Sequence, residues 1–117
     1  MDLRSLTKTY KALAEPNRLR ILKMLQIRPL CVCEITDILM LATSTVSKHL
    51  YLLREADLIV DRKEGKWVNY QLNDHPDPMV ADWLLTHLAR LLADDETVRQ
   101  DAERVRTVDR HQLCAVE

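Results

Sequence analysis

Cys31 and Cys33 stand two residues apart in the run Leu30-Cys31-Val32-Cys33-Glu34-Ile35. As thiolates they are soft donors suited to thiophilic metal or metalloid ions. Free cysteines also serve as small buried hydrophobes, and that alternative stays open at this point. Residues i and i+2 do not share a helix face, so both sulfurs can meet one ion only where a helix start is irregular or unwinds. Capture would therefore distort the first turn of the helix that follows. The only other cysteine, Cys114, sits near the C-terminus, and an odd count of three argues against a disulfide framework.

A second group of residues is suited to meeting phosphate and base edges. Ser44, Thr45, Ser47 and Lys48 open a segment that runs to Ala56, with His49 and Tyr51 following. Short hydroxyls reach phosphates and base edges, and a lysine neutralises a phosphate. Arg62, Lys63 and Lys66 then surround Gly65, the single glycine of the chain. A glycine there admits the positive φ of a tight hairpin turn, which would place the three cations at its tip.

The elements that must position these groups follow from periodicity. Leu3, Leu6, Tyr10 and Leu13 recur at helical steps over Asp2–Ala14. Pro16 suits the first turn of a second helix running to about residue 26. Arg28-Pro29 breaks it, since the residue before proline avoids helical geometry. A third helix is expected over Cys33–Met40, with Ile35, Ile38 and Leu39 buried. After the turn Leu41-Ala42-Thr43, a fourth spans Ser44–Ala56. Its inward stripe is Val46, Leu50 and Leu53, and Ser44, Lys48, Tyr51 and Glu55 lie opposite. An ordinary surface helix has such an outer face too, so the hairpin after it matters. Leu58–Lys63 and Lys66–Leu72 read as its strands, the second alternating Val68, Tyr70 and Leu72 against Trp67, Asn69 and Gln71. A helix-turn-helix followed by a cationic hairpin is a winged helix, whose wing meets the DNA backbone or minor groove. A proline-set linker over 73–78 leads to a long helix carrying Val80, Trp83, Leu84, His87, Leu88, Leu91 and Leu92. Asp94-Asp95 is a candidate interruption, 97–106 reads as helix, and 111–117 as a loose tail beyond a single domain of residues 1–110.

Bulk properties fit one domain. The 117 residues are 47% apolar and 30% charged, which is globular rather than disordered. No apolar run approaches the roughly 20 residues that span a bilayer, and Met1-Asp2-Leu3-Arg4 does not open a secretory signal. A cytoplasmic protein with reduced thiols and no membrane partner is expected. The net charge of −1 conceals a gradient. Residues 1–42 carry +3 and 43–72 carry +1, whereas 73–117 carry −5. A DNA face needs local rather than global positive charge. No phosphate-binding glycine loop and no nucleophile–base constellation is visible, so an enzyme is not expected.

These residues resemble the ArsR/SmtB family of metal-sensing repressors, and most closely its arsenic-responsive members. The likeness is strong over residues 10–72 and architectural beyond them. Leu30-Cys31-Val32-Cys33-Glu34-Ile35 is similar to the metalloid-binding segment. Ser47-Lys48-His49-Leu50, Leu52-Leu53-Arg54-Glu55 and Asp61–Tyr70 are similar to the recognition helix and wing. The resemblance implies a mainly α winged helix-turn-helix with a small β-hairpin, dimerising through its N- and C-terminal helices. It implies a homodimer on double-stranded operator DNA, released when Cys31 and Cys33 take up As(III) or Sb(III) as inducer, with no constitutive cofactor. DNA contacts are expected from Ser44, Thr45, Ser47, Lys48, His49, Tyr51, Arg62, Lys63 and Lys66. The dimer interface is expected from Leu3, Leu6, Tyr10, Val80, Trp83, Leu84, His87, Leu88 and Leu91.

Several departures bear on the inducer. The place where arsenic-site relatives often carry a third cysteine holds Thr36, which leaves Cys114 as a candidate third thiolate. Cadmium- and lead-sensing relatives add cysteines from an N-terminal arm, and no cysteine precedes Cys31. Asp74-His75 lacks the spacing of the zinc site, and His87 is followed three residues later by Arg90 rather than by an acid. A redox switch or a Cd/Pb-responsive repressor of the same fold is the alternative.

Overall fold

The computed structural model describes residues 2–74 and 79–113. Helix α1 (Leu3–Leu13) starts where the Asp2 carboxylate accepts the Ser5 N–H at 2.8 Å. Helix α2 (Pro16–Ile27) starts likewise, with Glu15 accepting from the Arg18 N–H at 3.0 Å and Pro16 in the first turn, where its missing N–H costs nothing. Pro29 holds Arg28 extended, at φ −167° and ψ 165°, so the chain leaves α2 as strand β1 (Leu30–Cys31).

Helix α3 (Val32–Leu39) ends on Met40 in the left-handed conformation, with its N–H returned to the Thr36 carbonyl at 2.8 Å. A non-glycine pays for that conformation in steric strain, and Met40 sits at the sharp turn into helix α4 (Thr43–Glu55). On α4, Val46, Leu50 and Leu53 are buried, as the sequence pattern indicates. Strands β2 (Ile59–Glu64) and β3 (Trp67–Leu72) form the hairpin, in register from Ile59↔Leu72 to Glu64↔Trp67. Gly65, at φ 62°, takes the first place of the two-residue turn, as a type II′ turn requires.

The sheet holds more than the expected hairpin. β1 joins it antiparallel to β3, giving the order β1-β3-β2. A two-residue strand has no periodicity to display, so only pairing with a remote partner reveals it. Ile21, Leu22, Met24, Leu25, Ile35, Leu50, Leu53 and Leu58 meet in one core.

The C-terminal third departs further. Helix α5 (Met79–His87) stops five residues before Leu92, which was expected to lie on the same helix. Turns follow, with Leu92 at φ 60°, until Asp95 caps helix α6 (Glu96–Thr107) through the Val98 N–H at 3.0 Å. Lys23 Nζ donates to the Leu88 carbonyl at 2.7 Å, anchoring the first of those turns. α6 is clamped to α2 by Arg20, whose guanidinium grips buried Asp101 with two hydrogen bonds of 2.8 and 2.9 Å. A short helix α7 (Arg110–Leu113) ends the described chain and includes residues 111–113 of the stretch read as a loose tail. Among the described residues no helix is long and apolar enough to cross a membrane.

Candidate functional site

The thiol segment sits where three elements meet. Cys31 closes β1 and is also the N-cap residue of α3. Its backbone pairs with Asn69 of β3, in the hairpin. Its sulfur accepts the Glu34 N–H while Glu34 Oε1 accepts the Cys31 N–H at 2.9 Å, a reciprocal capping box with sulfur in the hydroxyl's place. Glu34 is itself buried, and its second oxygen receives Arg28 Nη2 at 3.3 Å. Cys31 is a buried free thiol at 2% exposure. Burial pushes it above its ordinary pKa, and the neighbouring Glu34 charge adds to the rise. It is therefore a protonated sulfur at neutral pH, engaged as a helix cap. Cys33 follows in the first turn of α3, half-buried. Cys33 is disulfide-bonded in this structure, so the pair offers soft donors to a thiophilic ion only after reduction, and at the cost of the cap. Cys114 lies outside the described residues.

The second constellation is open to solvent. Thr43, Ser44, Thr45, Ser47 and Lys48 form the exposed start of α4, with Tyr51 exposed one turn further. The helix begins at Thr43, one residue earlier than expected, which adds a hydroxyl to this end. No side chain caps the helix there, so its first N–H groups point outward beside the hydroxyls, the usual arrangement for receiving phosphate. Arg62, Lys63 and Lys66 are exposed on the hairpin. Arg54 of α4 reaches Asp61 of β2 at 3.3 Å, fixing the hairpin relative to α4.

His49, which follows beside the apolar stripe and is expected as a packed or phosphate-contacting residue, is packed. Its ring is turned inward, with Nδ1 3.1 Å from Arg18 Nη1. A guanidinium can only donate, so Nδ1 accepts and the proton sits on Nε2, 3.9 Å from Glu15. Arg18 also donates to the carbonyls of Ala12 and Lys11 at 2.7 and 2.9 Å, tying the end of α1 to α4. His49 thus sets the pose of α4 from behind.

The expected interface residues divide. Leu3 and Tyr10 are exposed at 82% and 60%, as are Trp83 at 60% and Leu91 at 37%. Leu84 and Leu88 are buried within the chain's own core, beside Leu19 and Leu22 of α2. His87 is half-buried, with Nδ1 against the Trp83 carbonyl at 2.8 Å. The Val80 side chain lies outside the described residues.

Sequence reasoning missed Glu34, Arg28, Arg18 and Arg110. Glu34 carried a local signal, since an acid three residues after a cap residue marks a capping box, with cysteine standing where serine or threonine is usual. The arginines had none, because their partners are remote in sequence.

Comparison with known proteins bears on the family and the fold. The model of a family described as bacterial regulatory protein, arsR family, matches residues 15–60. The arsenical resistance operon repressor of Escherichia coli K12 is 37% identical over 103 residues, covering 87% of this chain and 80% of that protein. Among solved structures, HlyU from Vibrio cholerae N16961 superposes with a TM-score of 0.64 at 33% identity, covering 80% of this chain and 99% of that one. The cadmium metal-sensor CMTR from Mycobacterium tuberculosis gives 0.55 at 35% identity, covering 78% and 82%.

Proposed function

The chain belongs to the arsR family of bacterial regulatory proteins, and on that premise we propose a homodimeric repressor that leaves its operator when Cys31 and Cys33 bind As(III) or Sb(III). Its family makes it a winged-helix transcriptional regulator and not an enzyme. One observation carries the finer reading: Cys31 caps α3 and pairs with Asn69 of the wing at once.

In the reduced protein each As–S bond forms as a thiol displaces an As–OH group, with loss of one water. Sulfur bound to arsenic no longer accepts the Glu34 N–H, so the first turn of α3 loses its cap and loosens. α3 is the positioning half of the helix-turn-helix, and α4 presents Ser44, Thr45, Ser47 and Lys48. β1 draws on β3 at the same time, so the wing with Arg62, Lys63 and Lys66 shifts with it. A coupling of about 1–3 kcal/mol, ordinary for allostery, would release much of the DNA. Cys114 is the candidate third thiolate. Leu3, Tyr10, Trp83 and Leu91 are the exposed groups proposed to meet across a twofold axis.

The test uses a DNA duplex selected from a random library by reduced wild-type protein. Anisotropy is followed during titration with arsenite, antimonite, cadmium, lead, zinc and peroxide. Cys31→Ser and Cys33→Ser are each expected to keep DNA binding and lose arsenite release. Release by arsenite from both variants would refute the site. Release by cadmium alone would support the second reading, which the likeness to the mycobacterial cadmium sensor favours. Cys114→Ser with unchanged release and unchanged sulfur coordination by X-ray absorption would remove the tail from sensing. Sedimentation as a stable monomer at micromolar concentration would refute the dimer.

A further inference from the structure

The C-terminal end of the described chain lies against the wing. Arg110 Nη1 donates to Asn69 Oδ1 at 2.9 Å and Nη2 to Glu64 Oε1 at 3.1 Å. Its guanidinium carbon stands 4.1 Å from the Trp67 ring centre, within cation–π range. His111 meets the same ring edge-on at 4.8 Å. Glu64 pairs across the hairpin with Trp67, and Arg62 with Asn69, so alternation puts all four side chains on one face of the wing. Arg110 covers that face with its planar fork spread over both strands.

The same segment is held on its other side. Arg28 Nη2 donates to the carbonyls of Val105 and Val108 at 2.8 and 3.3 Å, at the end of α6. That nitrogen also reaches Glu34 of the capping box at 3.3 Å. The chain from Val105 to Arg110 therefore runs from the Cys31 cap to the wing. Asn69, which takes the Arg110 bond, is the strand partner of Cys31.

We propose that α7 is a strap that sets the wing for DNA, and that Arg110 is its positioning residue. The proposal rests on the reading that this wing meets DNA. Arg110 does two things there. It fixes β2 to β3 near the tip, adding to the ladder, the two-residue turn and the Asn69 Nδ2–Glu64 Oε1 hydrogen bond of 3.0 Å. It also occupies Glu64, the carboxylate that opens the turn between the cations, whose uncompensated charge would repel phosphate. Hydrogen bonding to Arg110, and then to Asn69, holds the Glu64 carboxyl below its ordinary range.

The experiment compares the full-length reduced wild type with Arg110→Ala, Arg110→Lys and the double variant Arg110→Ala/Glu64→Gln. The probe is the duplex selected by the wild type. DNA affinity is measured against salt, and acrylamide quenching of Trp67 is read in a Trp83→Phe background. Arg110→Ala is expected to weaken binding roughly five-fold and flatten the salt slope by up to about one unit, the effect of one uncompensated charge at a phosphate-facing surface. Trp67 becomes more readily quenched. Arg110→Lys keeps the charge but not the fork or the stack, and falls between. In the double variant the affinity recovers in part while Trp67 stays exposed.

Weaker binding with unchanged Trp67 quenching would overturn the positioning role, since Arg110 would then be an ordinary phosphate contact. Greater quenching with unchanged affinity would overturn the claim that the strap sets the wing. A wild type that enriches no duplex would refute the DNA reading itself. The functional half of the proposal falls with it, and Trp67 quenching alone then decides whether the strap holds the wing.

Discussion

Replacing Glu34 by glutamine separates the two bonds that its buried carboxylate makes. Glutamine keeps a carbonyl oxygen for the Cys31 N–H, 2.9 Å away in the wild type, and gives up the charge facing Arg28 at 3.3 Å. Breaking a fully buried pair costs about 3–5 kcal/mol. Here Arg28 is 38% exposed and keeps the Val105 and Val108 carbonyls, so solvent screening reduces the loss to roughly 1.5 kcal/mol. Glu34→Ala also orphans the buried Cys31 N–H, a further ~1 kcal/mol. With a urea slope of about 1.5 kcal/mol per molar, the midpoints should fall by roughly 1 M for glutamine and roughly 2 M for alanine. The assay is equilibrium urea unfolding at one fixed protein concentration, because the proposed dimerisation would make midpoints concentration-dependent. The same substitution removes a charge that helps keep the Cys31 thiol protonated. Its alkylation at pH 8, followed peptide by peptide, should therefore speed up as stability declines. Equal midpoints for glutamine and wild type would refute the ion pair. Equal midpoints for glutamine and alanine would refute the capping box.

The raised pKa of Cys31 gives a pH dependence of known sign. The folded thiol titrates above the unfolded one, near 8.5, so its stabilisation is complete below that pH and is lost as pH rises toward the folded value. The wild-type urea midpoint should drop more between pH 7.5 and 10 than that of Cys31→Ser, and parallel drops would refute it. Gly65→Ala meets no atom within 4 Å, so its cost is the positive φ alone, roughly 1 kcal/mol in urea unfolding, with the wing less ordered. Asp101→Asn leaves Arg20 without its charged partner at the α2–α6 contact, and a loss of roughly 2 kcal/mol is expected. Lys48→Ala and Lys66→Ala should each flatten the salt dependence of DNA binding by about one unit, and an unchanged slope would remove that lysine from the interface.

The sequence alone determined the order helix, helix, thiol pair, helix-turn-helix and wing. Each rests on a local signal: leucines at helical steps, Pro16 and Pro29 as punctuation, and a lone glycine at the tip. The buried stripe Val46, Leu50 and Leu53 and the exposed hydroxyls opposite were equally legible, because one helix carries both. Tertiary structure alone decided how these parts are connected. Cys31 pairs with Asn69, Arg20 grips Asp101 and Arg110 spans Asn69 and Glu64, each joining residues remote in the chain. Whether His49 faces DNA or Arg18, and whether Leu84 and Leu88 face a partner or their own core, depends on where neighbouring helices pack. Local pattern fixes which side of a helix is apolar, but only long-range packing fixes what that side meets.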